Sequence, residues 1–224
     1  SIAACDGPIT VKATPTGSGS SMQQIVDGTL QPDIWSPAGS IWLTIANAKW
    51  KEKNGNGLLA TGANDAPSLV SSPVVIAMWK TQAEALGWPK KPIGWIDIAK
   101  LSTDPRGWGA YGHPEFGAFK FGHTHPDYSN SGLDAVIAMN YAASGKVRGL
   151  TTADVTTAQT KKFVGNVESS VIHYGDSTGF FANKMFSNGP SYLSATVMYE
   201  SLVVEANNGK KYPQLPLPVV SIYP

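Results

Sequence analysis

Two stretches of this sequence gather hydroxyl side chains between a short apolar run and a helical one. They are Thr16-Gly17-Ser18-Gly19-Ser20-Ser21 and Thr124-His125-Pro126-Asp127-Tyr128-Ser129-Asn130-Ser131. A helix N-terminus presents unpaired backbone N–H groups and a partial positive charge, so it holds an anion without help from a cationic side chain. Serine and threonine add donors, and glycine lets the backbone approach a ligand closely. Capping alone would also explain serines at these positions, but two such loops in one chain favour a site. A third polar turn, Tyr174-Gly175-Asp176-Ser177-Thr178-Gly179, either caps the next helix through Asp176 or Ser177, or directs Tyr174 and Ser177 into the same cleft. The candidate ligand-binding residues from these loops are Ser18, Ser20, Ser21, Thr124, Ser129, Ser131, Tyr174 and Ser177.

Other chemistries find less support. The first loop lacks the Gly-Lys-Ser/Thr ending that sets a lysine against phosphates. Its Gly-Ser-Gly run is not the Gly-x-Ser-x-Gly elbow of an α/β-hydrolase. His123-x-His125-x-Asp127 places two imidazoles on one side of a strand, which with His173 gives the alternative of a metal-dependent hydrolase. Pro126 breaks that strand at once, so no catalytic residue, metal or cofactor is expected. Trp35, Trp42, Trp79 and Trp95 offer stacking surfaces for a neutral sugar, although their contexts read as core. The sole cysteine, Cys5, excludes an internal disulfide framework. Its context Ile2-Ala3-Ala4-Cys5 resembles the cleavage box of a bacterial lipoprotein. Without the charged and apolar regions of a signal peptide, a semi-buried thiol near the first strand is the expectation.

The elements that must carry these loops alternate along the chain. Ile9 to Thr14 and Asp33 to Ser36 read as short strands. Met22, Ile25, Val26 and Leu30 fall at helical spacing, and Ser40 opens a second helix through Ile41, Leu43, Ile45 and Ala48. Val74 to Met78 is apolar throughout, as in a strand buried on both faces. Helices follow near Thr81 to Leu86, from Leu133 to Gly145, and through Phe163, Val164, Val167 and Val171. Phe119 to Thr124, Thr196 to Val204 and Val219 to Tyr223 supply further strands. This order predicts an α/β protein with a mainly parallel sheet, whose loops at the carboxyl ends of strands are the usual ligand positions.

Composition narrows the function classes. The chain has 224 residues, 42% hydrophobic and 15% charged, with a formal net charge of +1. It carries no basic tract to support nucleic-acid binding, and no run approaches the ~20 apolar residues of a membrane span.

Several blocks together resemble a known family. They are Thr16 to Met22, Pro32-Asp33-Ile34-Trp35-Ser36-Pro37, Ser71-Ser72-Pro73-Val74-Val75-Ile76-Ala77, Phe121-Gly122-His123-Thr124-His125-Pro126 with Ser129 to Gly132, and Ser194 to Glu200. The chain resembles the bacterial extracellular solute-binding proteins of the type II periplasmic-binding fold, in the branch often joined to a von Willebrand factor A domain. It is distantly similar to molybdate- and sulfate-binding proteins. The resemblance adds Ser36 and Ser72 to the candidate ligand-binding set. It implies two lobes, residues 1–72 with 213–224 and residues 73–212, with a small polar or anionic solute captured between them. It also implies an extracytoplasmic location, a signal peptide in the precursor, a missing first strand and last helices, and a monomer read by a membrane permease or an attached von Willebrand factor A domain. A surface interaction or signalling module without a small ligand is the further alternative.

Overall fold

In a computed structural model, residues 10–59 and 66–224 are described. Cys5 and Ile9 lie outside these residues, as does part of the Gly/Asn-rich loop after Asn54.

The unbroken apolar run forms strand β1 (Val74–Trp79), buried from Val75 onward. Its alternate residues serve two cores, as a two-sided strand requires. Four more strands pair around it: β2 (Phe121–Thr124), β3 (Val171–Gly175), β4 (Ala195–Tyr199) and β5 (Val219–Ile222). The sheet order is β3-β2-β4-β1-β5. Strand β2 runs parallel to β3 and β4, whereas β1 is antiparallel to β4 and β5, with Val74 opposite Tyr199 and Ile76 opposite Ile222. The sheet is therefore mixed, where a mainly parallel one was expected. The carboxyl ends of β2, β3 and β4 nevertheless share one edge, and β1 starts there.

Helices cover both faces. Ile76, Met78, Phe121 and Val197 pack against Ile98 of α4 (Trp95–Thr103), Ala135 and Met139 of α5 (Asn130–Ser144), and Val167 of α7 (Ala158–Glu168). Val75, Ala77, Trp79 and Met198 pack against Phe181 and Met185 of α8 (Thr178–Asn188) and Val203 of α9 (Glu200–Asn207). Short α3 (Lys80–Ala85) and α6 (Thr152–Thr156) complete the set, with two 3₁₀ turns at Gly107–Tyr111 and Pro114–Phe116. Ahead of the sheet, α1 (Ser18–Val26) and α2 (Ile41–Asn54) form a satellite core of Met22, Val26, Trp42 and Ala46, with Leu133 of α5 packed on it.

Helix ends follow local chemistry. Gly55 and Gly145 adopt left-handed conformations, φ 78° and 67°, and stop α2 and α5. Thr151 and Thr157 cap α6 and α7 by accepting from Asp154 N and Thr160 N.

Four expectations are corrected. Residues 10–14 and Asp33–Ser36 form no strand, because no described residue pairs with their backbone and Ile34 is 86% exposed. The helical spacing through Val171 runs past a real boundary. Helix α7 ends at Glu168, and Ser170 donates to Val167 O, turning the chain into β3. The apolar run Thr196 to Val204 splits after Tyr199, where β4 passes directly into α9. The α/β class stands.

Candidate functional site

Three helices begin at the shared strand edge. The β2 exit leads into α5, the β3 exit into α8, and the N-terminus of α1 is set against both connecting loops. A Cβ on Gly17 would overlap the Tyr128 carbonyl oxygen and come within 3.2 Å of that of Asp176. Only glycine permits such an approach. The backbone N–H groups of Gly19 and Ser20 donate to Tyr128 O at 3.0 and 3.2 Å, so this carbonyl occupies the first turn of α1.

Hydroxyls meet at this junction. Thr124 Oγ1 lies 2.8 Å from Ser131 Oγ, which lies 2.7 Å from Thr178 Oγ1, and Ser129 Oγ is 3.3 Å from the same Thr178 oxygen. All four residues are buried, Thr124 and Ser131 completely. Thr178 was missed in the sequence, although it stands inside the turn that drew attention to Ser177.

Ser129 and Ser177 occupy the N-cap positions of α5 and α8, yet neither side chain bonds to its helix. The helices begun by Thr151 and Thr157 do use their side-chain caps. Simple capping therefore does not account for the serines at the junction. The first-turn N–H groups of α5 and α8 keep the anion-binding character of uncapped helix starts.

A second layer fixes these helix starts. The Trp42 indole N–H donates to Asn130 Oδ1 at 2.9 Å. Asn130 Nδ2 donates to Asp134 Oδ2 at 2.7 Å and to the Tyr199 hydroxyl at 3.2 Å. Burial raises the Asp134 carboxyl above the usual carboxylate range, only partly offset by Asn130. Burial likewise raises Tyr199, with Asp134 adding to the effect against the hydrogen bonds of Asn130 and Thr178. A cavity of about 290 Å³ opens beside Asp134, walled by Val74, Trp95, Tyr141 and Pro224.

The remaining candidates are dispersed. Ser18 accepts from Ala38 N, and Ser21 donates back to Gly17 O while accepting from the Trp35 indole. Ser20 lies in the first turn of α1, half-buried, and Ser36 is exposed. Ser72 accepts from Ser201 N at the start of α9. Tyr174 turns its hydroxyl to Glu168 Oε2 at 2.6 Å, and burial with that bond pushes it up to about 12. Trp42, Trp79 and Trp95 are at most 5% exposed, which removes three of the four proposed sugar-stacking surfaces.

The histidines do not converge. His123 is buried with both ring nitrogens engaged, His125 stacks on Tyr128, and His173 stacks on Tyr192. Among the described residues no group of three or more His, Cys, Asp or Glu is placed to hold a metal. The arrangement thus gives the metal-dependent hydrolase reading no support.

The family described as bacterial extracellular solute-binding protein matches residues 4–222. No curated protein and no solved structure matches.

Proposed function

The chain belongs to the bacterial extracellular solute-binding proteins, and from that premise we propose that it captures a small polar or anionic solute where α5 and α8 begin, beside the N-terminus of α1. The observation that carries this reading is the pair of N-cap serines, Ser129 and Ser177, that leave their helices uncapped at one shared edge. Hydroxyl and backbone donors surround that edge, and the described residues hydrogen-bonded there include no lysine or arginine. An oxyanion or carboxylate suits this set better than a sugar, since most of the tryptophans are core. The family's extracellular description assigns the chain an extracytoplasmic location. Among the described residues no helix is long and apolar enough to cross a membrane.

In the proposed mechanism the unit of α1 and α2 forms part of one lobe, and the sheet with its helices forms the other. Strand β5 goes with the sheet because it pairs with β1, which departs from the expected return of residues 213–224 to the first lobe. A ligand bound between them favours the closed arrangement only by its differential affinity for it. A permease or an attached domain then reads the closed form. Contacts of Gly19 and Ser20 with Tyr128 support this, because they already join the two parts across the junction.

A thermal-shift screen of sulfate, small carboxylates and sugars tests the proposal. Stabilisation by the right class grows with concentration and reaches about 2.7 kcal/mol at a hundredfold excess over Kd. Stabilisation by sugars alone would overturn the anion preference. No response to any class would favour a surface interaction module.

A further inference from the structure

We infer that His123 and Glu168 form a proton-holding pair that positions Thr124 and the loop to Ser131, making the order of the candidate site depend on pH. The significance for ligand capture rests on the reading above, but the pair itself does not.

His123 is 1% exposed. Its Nδ1 lies 2.8 Å from the Thr124 carbonyl oxygen, an acceptor with no proton to give, so Nδ1 carries hydrogen and donates. Its Nε2 lies 3.0 Å from Glu168 Oε1, and a nitrogen facing a carboxyl oxygen at that distance needs one proton between them. The pair therefore holds one proton more than a neutral imidazole beside a free carboxylate. Glu168 also accepts from the Tyr174 hydroxyl. Burial pushes the Glu168 carboxyl up, but the bond and charge of His123, with Tyr174, outweigh it and leave it lowered. The ionised carboxylate facing an imidazolium fits all three contacts.

Glu168 is the charged group within hydrogen-bond reach of His123, while exposed Lys161 of α7 lines the same cavity as Glu168. Tyr174 from β3 meets the His123 ring edge-on at 5.1 Å, and His125 lies beyond it, 6.1 Å from Tyr174. The other elements packed on β2 bring Asp134 and Tyr141 from α5, Lys184 from α8 and Tyr199 from β4. Asp134 and Tyr199 bond to Asn130, and Lys184 lies over Phe180.

The pair reaches the site through one carbonyl. Thr124 O accepts from His123, and Gly132 sits so close to that same oxygen that any Cβ there would overlap it. The Thr124 side chain is the first member of the hydroxyl chain to Ser131 and Thr178. Loss of the shared proton sets the Nε2 lone pair against a carboxylate, and α7 and β2 then repel where they now attract.

The test uses the whole chain with ¹⁵N-labelled histidine and amide exchange over residues 125–132, without ligand. Over some range of pH both His123 ring nitrogens should report protonation in the wild type while only Nδ1 does in Glu168→Gln. Above the pH at which the wild type loses the shared proton, loop protection factors should fall roughly tenfold, and Glu168→Gln should show no such step. Tyr174→Phe, which keeps the pair, should retain the step. Identical histidine titration in wild type and Glu168→Gln would overturn the proposal, as would loop protection independent of that titration. Neither result bears on which solute binds, because none is added.

Discussion

The Trp42 indole N–H donates to Asn130 Oδ1 at 2.9 Å, across 88 residues of sequence. The two side chains are 2% and 4% exposed. One bond thus joins the α1–α2 unit to the first residue of α5, and through Asn130 to Asp134 and Tyr199.

Replacing Trp42 with phenylalanine keeps an aromatic ring in the satellite core but removes the donor. A buried acceptor left without its partner costs about 1–3 kcal/mol, and the smaller ring adds a packing loss. Chemical denaturation should show a loss in this range. Amide exchange should rise first in α1 and α2, while amides of β1 and β4 stay protected. Uniform loss of protection would mean that the bond belongs to the global core and not to a junction.

The hydroxyl chain predicts a different signature. Ser131 is fully buried between Thr124 and Thr178. Ser131→Ala takes away a bridge and leaves two hydroxyls short of a partner, so stability should fall by about 1–3 kcal/mol. Thr124→Val in the same background should then cost little more, since the hydroxyl contact with Ser131 that it removes is already broken. A double-mutant cycle on unfolding free energies checks this, and strict additivity would show that the hydroxyls do not act as one chain.

How much of this was readable in advance follows from what each signal depends on. The apolar run of β1 and the glycine stop of α5 are local signals, and both recur in the structure. The Asp33–Ser36 strand failed because a strand requires a neighbour, and β propensity cannot supply one. The start of strand β3 reads as helix in the sequence because Val167 and Val171 keep helical spacing across a turn that only Ser169 and Ser170 mark. At the site, Thr124, Ser129 and Ser131 were legible because one loop carries them. Thr178, Trp42 and Glu168 join through sheet order and helix packing, which no short-range pattern encodes. Asn130 with Asp134 at helical i,i+4 spacing was a signal that could have been used.

Ser177 separates ligand binding from folding more cleanly than the buried serines. It is half-buried, and its side chain makes no cap bond to α8. Ser177→Ala should therefore leave stability within about 0.5 kcal/mol of wild type. Loss of a donor to a charged ligand is worth about 1.5–3 kcal/mol, and about 1.4 kcal/mol is one decade in affinity. Titration calorimetry with the anion selected by the thermal screen should show at least about tenfold weaker binding. An unchanged Kd would remove Ser177 from the proposed site while leaving the fold untouched.

Asp134 supplies a pH dependence of opposite sign to that of Glu168. Burial raises the Asp134 carboxyl in the folded state, so between its unfolded and folded values the native protein binds more protons than the unfolded chain. By linkage, stability then decreases as pH rises through that window, with the full contribution present below the unfolded value of about 4. Glu168 is lowered, so its contribution is present above its unfolded value and disappears as pH falls through its folded value. Asp134→Asn removes the first effect alone. The new amide oxygen still accepts from Asn130 Nδ2, as Asp134 Oδ2 does at 2.7 Å, and no charge is buried. The variant should melt higher than wild type at neutral pH, and the advantage should vanish below about pH 4. Melting temperatures of both proteins across that range decide the matter. A variant that melts lower at every pH would show that the carboxylate makes a compensating contact, and burial would no longer explain its raised value.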